Sequence, residues 1–198
     1  MFAISASNPR RPRALSWLAG TFLMFSGTAF AQSATQAASP TLPPELVANK
    51  HVDAGDLRIG YADLGPAKGE VIILLHGWPY DINSYAEVAP QLAARGYRVI
   101  VPHLRGYGTT TFLSADTPRN GQPAALASDV IALMDALNIR RATLAGYDWG
   151  ARSADIVAAI WPERVKALVS VSGYLIGSQE ASRKPLPPSS ELQWWYQF

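Results

Sequence analysis

Gly146-Tyr147-Asp148-Trp149-Gly150 sets a carboxylate between two glycines, each two residues away. Residues 142–145 before it read as a short strand and residues 149–160 after it as a helix, so Asp148 falls on a turn with no loop to ease it. So sharp a turn needs small neighbours, because the backbone doubles back and larger side chains would collide. The central residue is held out at a helix N-terminus, where the dipole and unpaired N–H groups favour an anion. This is the pattern of a nucleophile elbow, with Asp where Ser is more common. A carboxylate is already ionised at neutral pH and can attack carbon directly to form an ester. Asp148 also suits a plain helix N-cap. The strand before it and a second turn, His76-Gly77-Trp78-Pro79, favour the nucleophile.

That second turn follows an apolar run, Val71-Ile72-Ile73-Leu74-Leu75. Gly77 permits an unusual backbone angle, and Pro79 withholds a donor and stiffens the loop. The backbone N–H of Trp78 is thereby available to the pocket. Together with the N–H of Trp149 it would form an oxyanion hole for the tetrahedral intermediate of ester hydrolysis. His76 has the chemistry of a general base, yet it is tied to the strand end and reads as a structural brace. His103-Leu104-Arg105-Gly106-Tyr107-Gly108 reads as a turn supporting the pocket from behind, and His51 as a surface residue.

The elements that must position these turns alternate. Residues 48–52 and 56–63 form two short strands joined at Ala54-Gly55. The run at 71–75 lacks alternation, as a parallel strand buried on both faces does. A helix is expected over 84–95, a strand over 97–101 stopped by Pro102, and a helix over 124–137. Its residues Leu126, Val130, Leu133, Met134 and Leu137 share one face. A further buried strand follows at 165–171. A hairpin and then strand–helix units predict an α/β domain with a mostly parallel sheet, whose chemistry sits at the carboxyl ends of the strands.

The 198 residues include 17 basic and 15 acidic ones and no Cys. Arg10, Arg11 and Arg13 lie in a stretch without acids, and without them 14 basic residues face 15 acidic ones. No basic surface for nucleic acid is implied. Without Cys there is no disulfide framework, thiol catalysis or Cys-based zinc site, and the chemistry above calls for no metal or cofactor. The three arginines, an uncharged stretch from 14 to 31 and Ala29-Phe30-Ala31 read as an export signal cleaved before Gln32. Its Ser, Thr and Gly content makes it weak as a spanning helix, so no stable membrane span is expected after cleavage. Residues 32–44, rich in Ala, Ser, Thr and Pro, read as a flexible linker. The protein is expected in the periplasm or outside the cell.

Leu74-Leu75-His76-Gly77-Trp78-Pro79, Leu104-Arg105-Gly106-Tyr107-Gly108 and Gly146-Tyr147-Asp148-Trp149-Gly150 resemble the α/β-hydrolase superfamily over about residues 48–198. Within it they resemble the epoxide hydrolase and haloalkane dehalogenase branch, which uses an Asp nucleophile. Trp78 after His-Gly is similar to the epoxide hydrolase form; dehalogenases often carry Asn there. The resemblance implies a small apolar substrate, an epoxide or a haloalkane, and leaves the oligomeric state open. In Trp194-Trp195-Tyr196-Gln197-Phe198 it implies that Tyr196 donates a hydrogen bond to the epoxide oxygen from the start of a cap domain. A buried aromatic cluster is the alternative there. His103 departs from the family, which commonly has Asp at that place. The resemblance also implies a catalytic His after the last strand, with an acidic partner before it, and none of the three His of this sequence fits that role. The expectation is therefore a partial hydrolase core over 45–175 and the start of a cap over 176–198, cut after about the sixth strand. Such a chain would be inactive in turnover and would leave its last strand as an open apolar edge. The reading from a different class is a non-catalytic remnant that binds a small apolar ligand.

Overall fold

A computed structural model describes residues 45–173, 180, 183–185, 187–193 and 195. The expected signal and linker segments and Tyr196 lie outside the described residues. Strands β1 (Lys50–Ala54) and β2 (Leu57–Leu64) form the hairpin, in the register Ala54↔Leu57. The turn is Gly55-Asp56, one residue later than expected, because Gly55 supplies the positive φ of 56°. Strands β3 (Val71–Leu75) and β4 (Arg98–Pro102) pair in parallel. So do β6 (Ala142–Tyr147) with β3 and β7 (Val165–Val171) with β6. The order is β1-β2-β4-β3-β6-β7, with β1 and β2 antiparallel to their neighbours. The two-residue strand β5 (Thr111–Phe112) pairs with β2. It was not legible in the sequence and makes β7 the seventh strand rather than the sixth.

Alternation along β3 shows why its sequence is apolar throughout. Ile73 and Leu75 join the core under helices α2 (Pro123–Ala136) and α3 (Trp149–Ile160), while Ile72 and Leu74 join the core on the other face. Helix α2 turns Leu126, Val130, Leu133 and Met134 inward, as its spacing predicts. The expected single helix over 84–95 is two pieces: a 3₁₀ turn at Ile82–Tyr85 and helix α1 (Val88–Ala94). Pro90 explains the break. It has no N–H for the Ala86 carbonyl, and its ring would collide with that carbonyl in a continuous helix. A short helix, α4 (Pro188–Gln193), lies in the region expected to begin the cap.

Strand β7 corrects one expectation. Its apolar sequence predicts burial, but Leu168, Val169 and Val171 are 40%, 53% and 54% exposed. Among the described residues only β6 pairs with it, so its far edge is open and both its faces are thinly covered. No described helix is long and apolar enough to cross a membrane.

Candidate active site

The turns at the carboxyl ends of β3 and β6 lie side by side, because these strands are neighbours in the register Leu74↔Ala145 and Leu75↔Gly146. Asp148 sits between β6 and α3 with φ 52° and ψ −118°. For a residue with a Cβ this is a strained conformation, costing about 1–3 kcal/mol. Its side chain makes no capping hydrogen bond to α3, so the plain N-cap alternative finds no support in the geometry. Its backbone N–H donates to the Val171 carbonyl at 2.9 Å, and its carbonyl accepts from Arg152 at 3.0 Å. The glycines make the turn possible. A Cβ on Gly146 would lie 2.6 Å from the Gly150 carbonyl carbon and 2.7 Å from the Ala151 nitrogen. One on Gly150 would run into the Leu75 carbonyl and come within 2.6 Å of the His76 oxygen.

Gly77 does the same for the facing turn. A Cβ there would stand 2.6 Å from the Asp148 Cβ and 2.8 Å from the Tyr147 ring. With hydrogen there instead, the loop leans onto the elbow and the Trp78 N–H donates to Asp148 Oδ1 at 2.9 Å. The peptide between Trp78 and Pro79 is cis. The N–H of Trp149, first residue of α3, has no carbonyl partner within its own helix.

His76 is fully buried. Its Nε2 accepts the Leu104 N–H at 3.2 Å, so the proton rests on Nδ1, which faces the Gly77 carbonyl at 3.2 Å. Both ring nitrogens are committed to backbone, which ties the β3 turn to the β4 turn and leaves no lone pair for a water. His103, also buried, directs Nδ1 at the Thr109 N–H (3.4 Å) and hydroxyl (3.3 Å). It stands at the end of β4, two strands from Asp148. His51 is exposed on β1, at the opposite edge of the sheet.

Burial pushes both buried imidazoles below the usual histidine range; for His76 the Gly77 carbonyl opposes this in part. The unfolded chain therefore binds more protons than the folded one once the pH falls below about 6.5. Their contribution to stability is complete above that pH and is lost as pH drops toward the folded-state values. We expect urea midpoints to hold from pH 8 to about 7 and to fall between pH 6.5 and 5, by at most about 1.4 kcal/mol per pH unit for each histidine. A flat profile across that window would contradict the neutral, backbone-bound tautomer of His76.

Sequence reasoning missed several supports. Arg105 makes a two-pronged ion pair with Asp129 of α2, at 2.6 and 2.7 Å, and donates to the Asn120 carbonyl at 2.7 Å. Burial pushes the Asp129 carboxyl up, against the pull of Arg105. The available signal was a carboxylate beside the apolar stripe of α2, next to Val130. Tyr147 shares a 2.7 Å hydrogen bond with Ser84, and Tyr85 donates to the Leu75 carbonyl at 2.9 Å. These two bonds pin the 3₁₀ turn to the elbow and to β3. Tyr107 sets its ring edge-on to His76, with centroids 4.7 Å apart. Among the described residues no three His, Cys, Asp or Glu gather as metal ligands.

An α/β sheet with a nucleophile-elbow turn defines the class, and the sequence model of the alpha/beta hydrolase fold family matches residues 70–198. The chain belongs to that family. Within it, the similarity is to epoxide hydrolases. The chain is 35% identical over 121 residues to epoxide hydrolase 3 of Siraitia grosvenorii, covering 61% of this chain and 37% of that one. It is 35% identical over 131 residues to a haloalkane dehalogenase of Mycobacterium marinum, covering 62% and 41%. Among solved structures, a candidate epoxide hydrolase from Klebsiella pneumoniae is 72% identical with a TM-score of 0.70, over 75% of this chain and 49% of that one. One from Pseudomonas aeruginosa is 28% identical with a TM-score of 0.63, over 74% and 47%. The chain thus spans about two fifths of these curated relatives and about half of these structures.

Proposed function

We propose that this chain carries the nucleophile half of an epoxide hydrolase, with Asp148 forming an alkyl-enzyme ester. The observation that carries this is the 2.9 Å hydrogen bond from the Trp78 N–H to Asp148 Oδ1. It holds one carboxylate oxygen in place and leaves Oδ2 to attack. After attack on a ring carbon, Oδ1 is the ester carbonyl oxygen. Charge gathers on that atom when water adds, and the N–H groups of Trp78 and Trp149 stabilise it. His76, Gly77, Pro79, Gly146 and Gly150 shape the two turns and do not touch the substrate. Tyr196, on the strength of the family resemblance, assists the opening oxygen. The test is intact-mass spectrometry after incubation with a reactive epoxide. One adduct per chain is expected on the wild type and none on Asp148→Asn; an adduct that survives in Asp148→Asn refutes Asp148 as the nucleophile.

The similarity to a haloalkane dehalogenase supports a second reading on the same ester chemistry, with the Trp149 indole holding the halide. Halide release from a chloroalkane, against adduct formation from an epoxide, separates the two. In either case the substrate is a small apolar electrophile, and turnover needs a base that none of the three histidines, as placed among the described residues, brings to Asp148.

The organisation we propose is a signal over 1–31, a linker over 32–44, a partial hydrolase core over 45–175 and the start of a cap over 176–198, in an exported protein. The support is the uncharged segment ending in Ala29-Phe30-Ala31. N-terminal sequencing of envelope material is expected to begin at Gln32, and an intact Met1 on cytosolic protein would refute export.

A further inference from the structure

We propose that Tyr147 is a positioning residue: it seats the Trp78 N–H on Asp148 Oδ1 and so sets the strength of the oxyanion hole. The inference deepens the ester mechanism and rests on Asp148 as its nucleophile.

The Trp78 N–H belongs to the segment between Gly77 and the 3₁₀ turn at Ile82–Tyr85. That segment shows Trp78 and Tyr80 to solvent, 46% and 65% exposed. Its close packing is on the elbow side. A Cβ on Gly77 would stand 2.8 Å from Tyr147 Cε2 and 2.6 Å from Asp148 Cβ. Cε2 is the ring carbon beside the one that bears the hydroxyl. The same end of the ring therefore lies against Gly77 and, through a 2.7 Å hydrogen bond, against the Ser84 hydroxyl. One side chain, next in sequence to the nucleophile, touches both ends of the segment that presents the donor.

Ser84 is a fixed post for that ring. Its N–H donates to the Asp81 carbonyl at 3.2 Å. Its neighbours are tied as well. Asn83 Oδ1 accepts the Leu46 N–H at 2.7 Å, and the Tyr85 hydroxyl donates to the Leu75 carbonyl at 2.9 Å. Ser84 thus fixes the Tyr147 ring, and the ring is the floor on which Gly77 rests. Without the hydroxyl the ring keeps its bulk and loses its fixed place. The peptide above it then no longer holds the Trp78 N–H at 2.9 Å from Oδ1.

The two chemical steps ask different things of that donor. During attack, Oδ2 forms the bond to carbon and negative charge drains from Oδ1, so the Trp78 hydrogen bond weakens. During cleavage of the ester, charge returns to Oδ1 and the bond strengthens. Loosening the donor therefore slows the second step and largely spares the first.

The test uses the 198-residue chain, a reactive aryl epoxide and then hydroxylamine, which is nucleophilic at neutral pH without a general base. Its nitrogen attacks the ester carbonyl carbon, the bond from that carbon to Oδ2 breaks, and the diol departs with a proton from the nitrogen. Asp148 is left as the hydroxamate, which intact mass resolves from the adduct. Tyr147→Phe is expected to slow this cleavage on the order of 10-fold. Adduct formation should change by less than about 3-fold. Ser84→Ala removes the same bond from its other side and should give the same split. The double variant should fall no further than either single one. Equal slowing of both steps would mean a merely structural role and overturn the proposal. Unchanged hydroxylamine cleavage, or losses that multiply in the double variant, would also overturn it. A wild type that takes no adduct at Asp148 overturns the ester mechanism and this proposal together; an adduct whose cleavage ignores Tyr147 overturns the proposal alone.

Discussion

Once alkylated at Asp148, the 198-residue chain is expected to stay alkylated far longer than a normal catalytic cycle would allow. Forming the ester takes a carboxylate, an electrophile and the two turns described above. Breaking it takes a deprotonated water, and a positioned general base contributes typically about 10² to 10⁴ in rate. The sequence contains three histidines. The two ring nitrogens of His76 are occupied by backbone, His103 is buried two strands away, and His51 is on the far edge. The proposed oxyanion donors, the N–H groups of Trp78 and Trp149, would accelerate only an attack that has a nucleophile to deliver. Mass spectrometry of the purified adduct over hours, at neutral pH, is the measurement. Loss of the adduct with catalytic turnover of epoxide would show that one of these histidines moves into service, with His76 and His103 the first to replace.

Gly150→Ala should be among the most damaging single changes to folding. The new methyl would run into the Leu75 carbonyl, at the end of the central strand, and sit 2.6 Å from the His76 oxygen. On the other side stands the first turn of α3, so neither backbone can retreat without breaking the β3–β6 ladder or the elbow. Main-chain atoms cannot rotate away as a side chain can. A loss on the order of 4–5 kcal/mol is expected, comparable to the whole stability of a modest domain. Gly121→Ala is the matched control, since a Cβ there meets nothing within 4 Å. Urea midpoints and soluble yield should separate the two variants widely. Equal stability of both would mean that the two turns do not approach as described.

The parts legible in the sequence were those written in local chemistry. The α3 range of 149–160 and the β7 range of 165–171 are legible in the sequence, because Asp148 and Trp161-Pro162 bound the helix and an apolar run marks the strand. The pairing of the His76 and Asp148 turns followed from strands that feed helices directly. What escaped depends on distant partners. Thr111 and Phe112 form a strand only because β2 offers them a ladder. The Arg105–Asp129 pair joins residues 24 apart on separate elements. Pro90 was a local signal that the apolar run around it concealed. The exposure of β7 could not come from its own residues, which are those of a buried strand; it is set by what lies beside it.

The Asp148 N–H ends on the Val171 carbonyl, the last residue of β7. The Asp148 backbone is thereby hung from the strand with the least cover on either face. Local opening is easiest at such edges. Each time the end of β7 frays, the elbow loses the bond that holds its strained φ of 52°, and the stored strain favours relaxation. Amide hydrogen exchange at Asp148 would therefore follow the opening of β7 and not the global unfolding that protects β3 and β4. In the proposed mechanism, the time Asp148 spends in its elbow geometry would be set by how firmly that last strand is held.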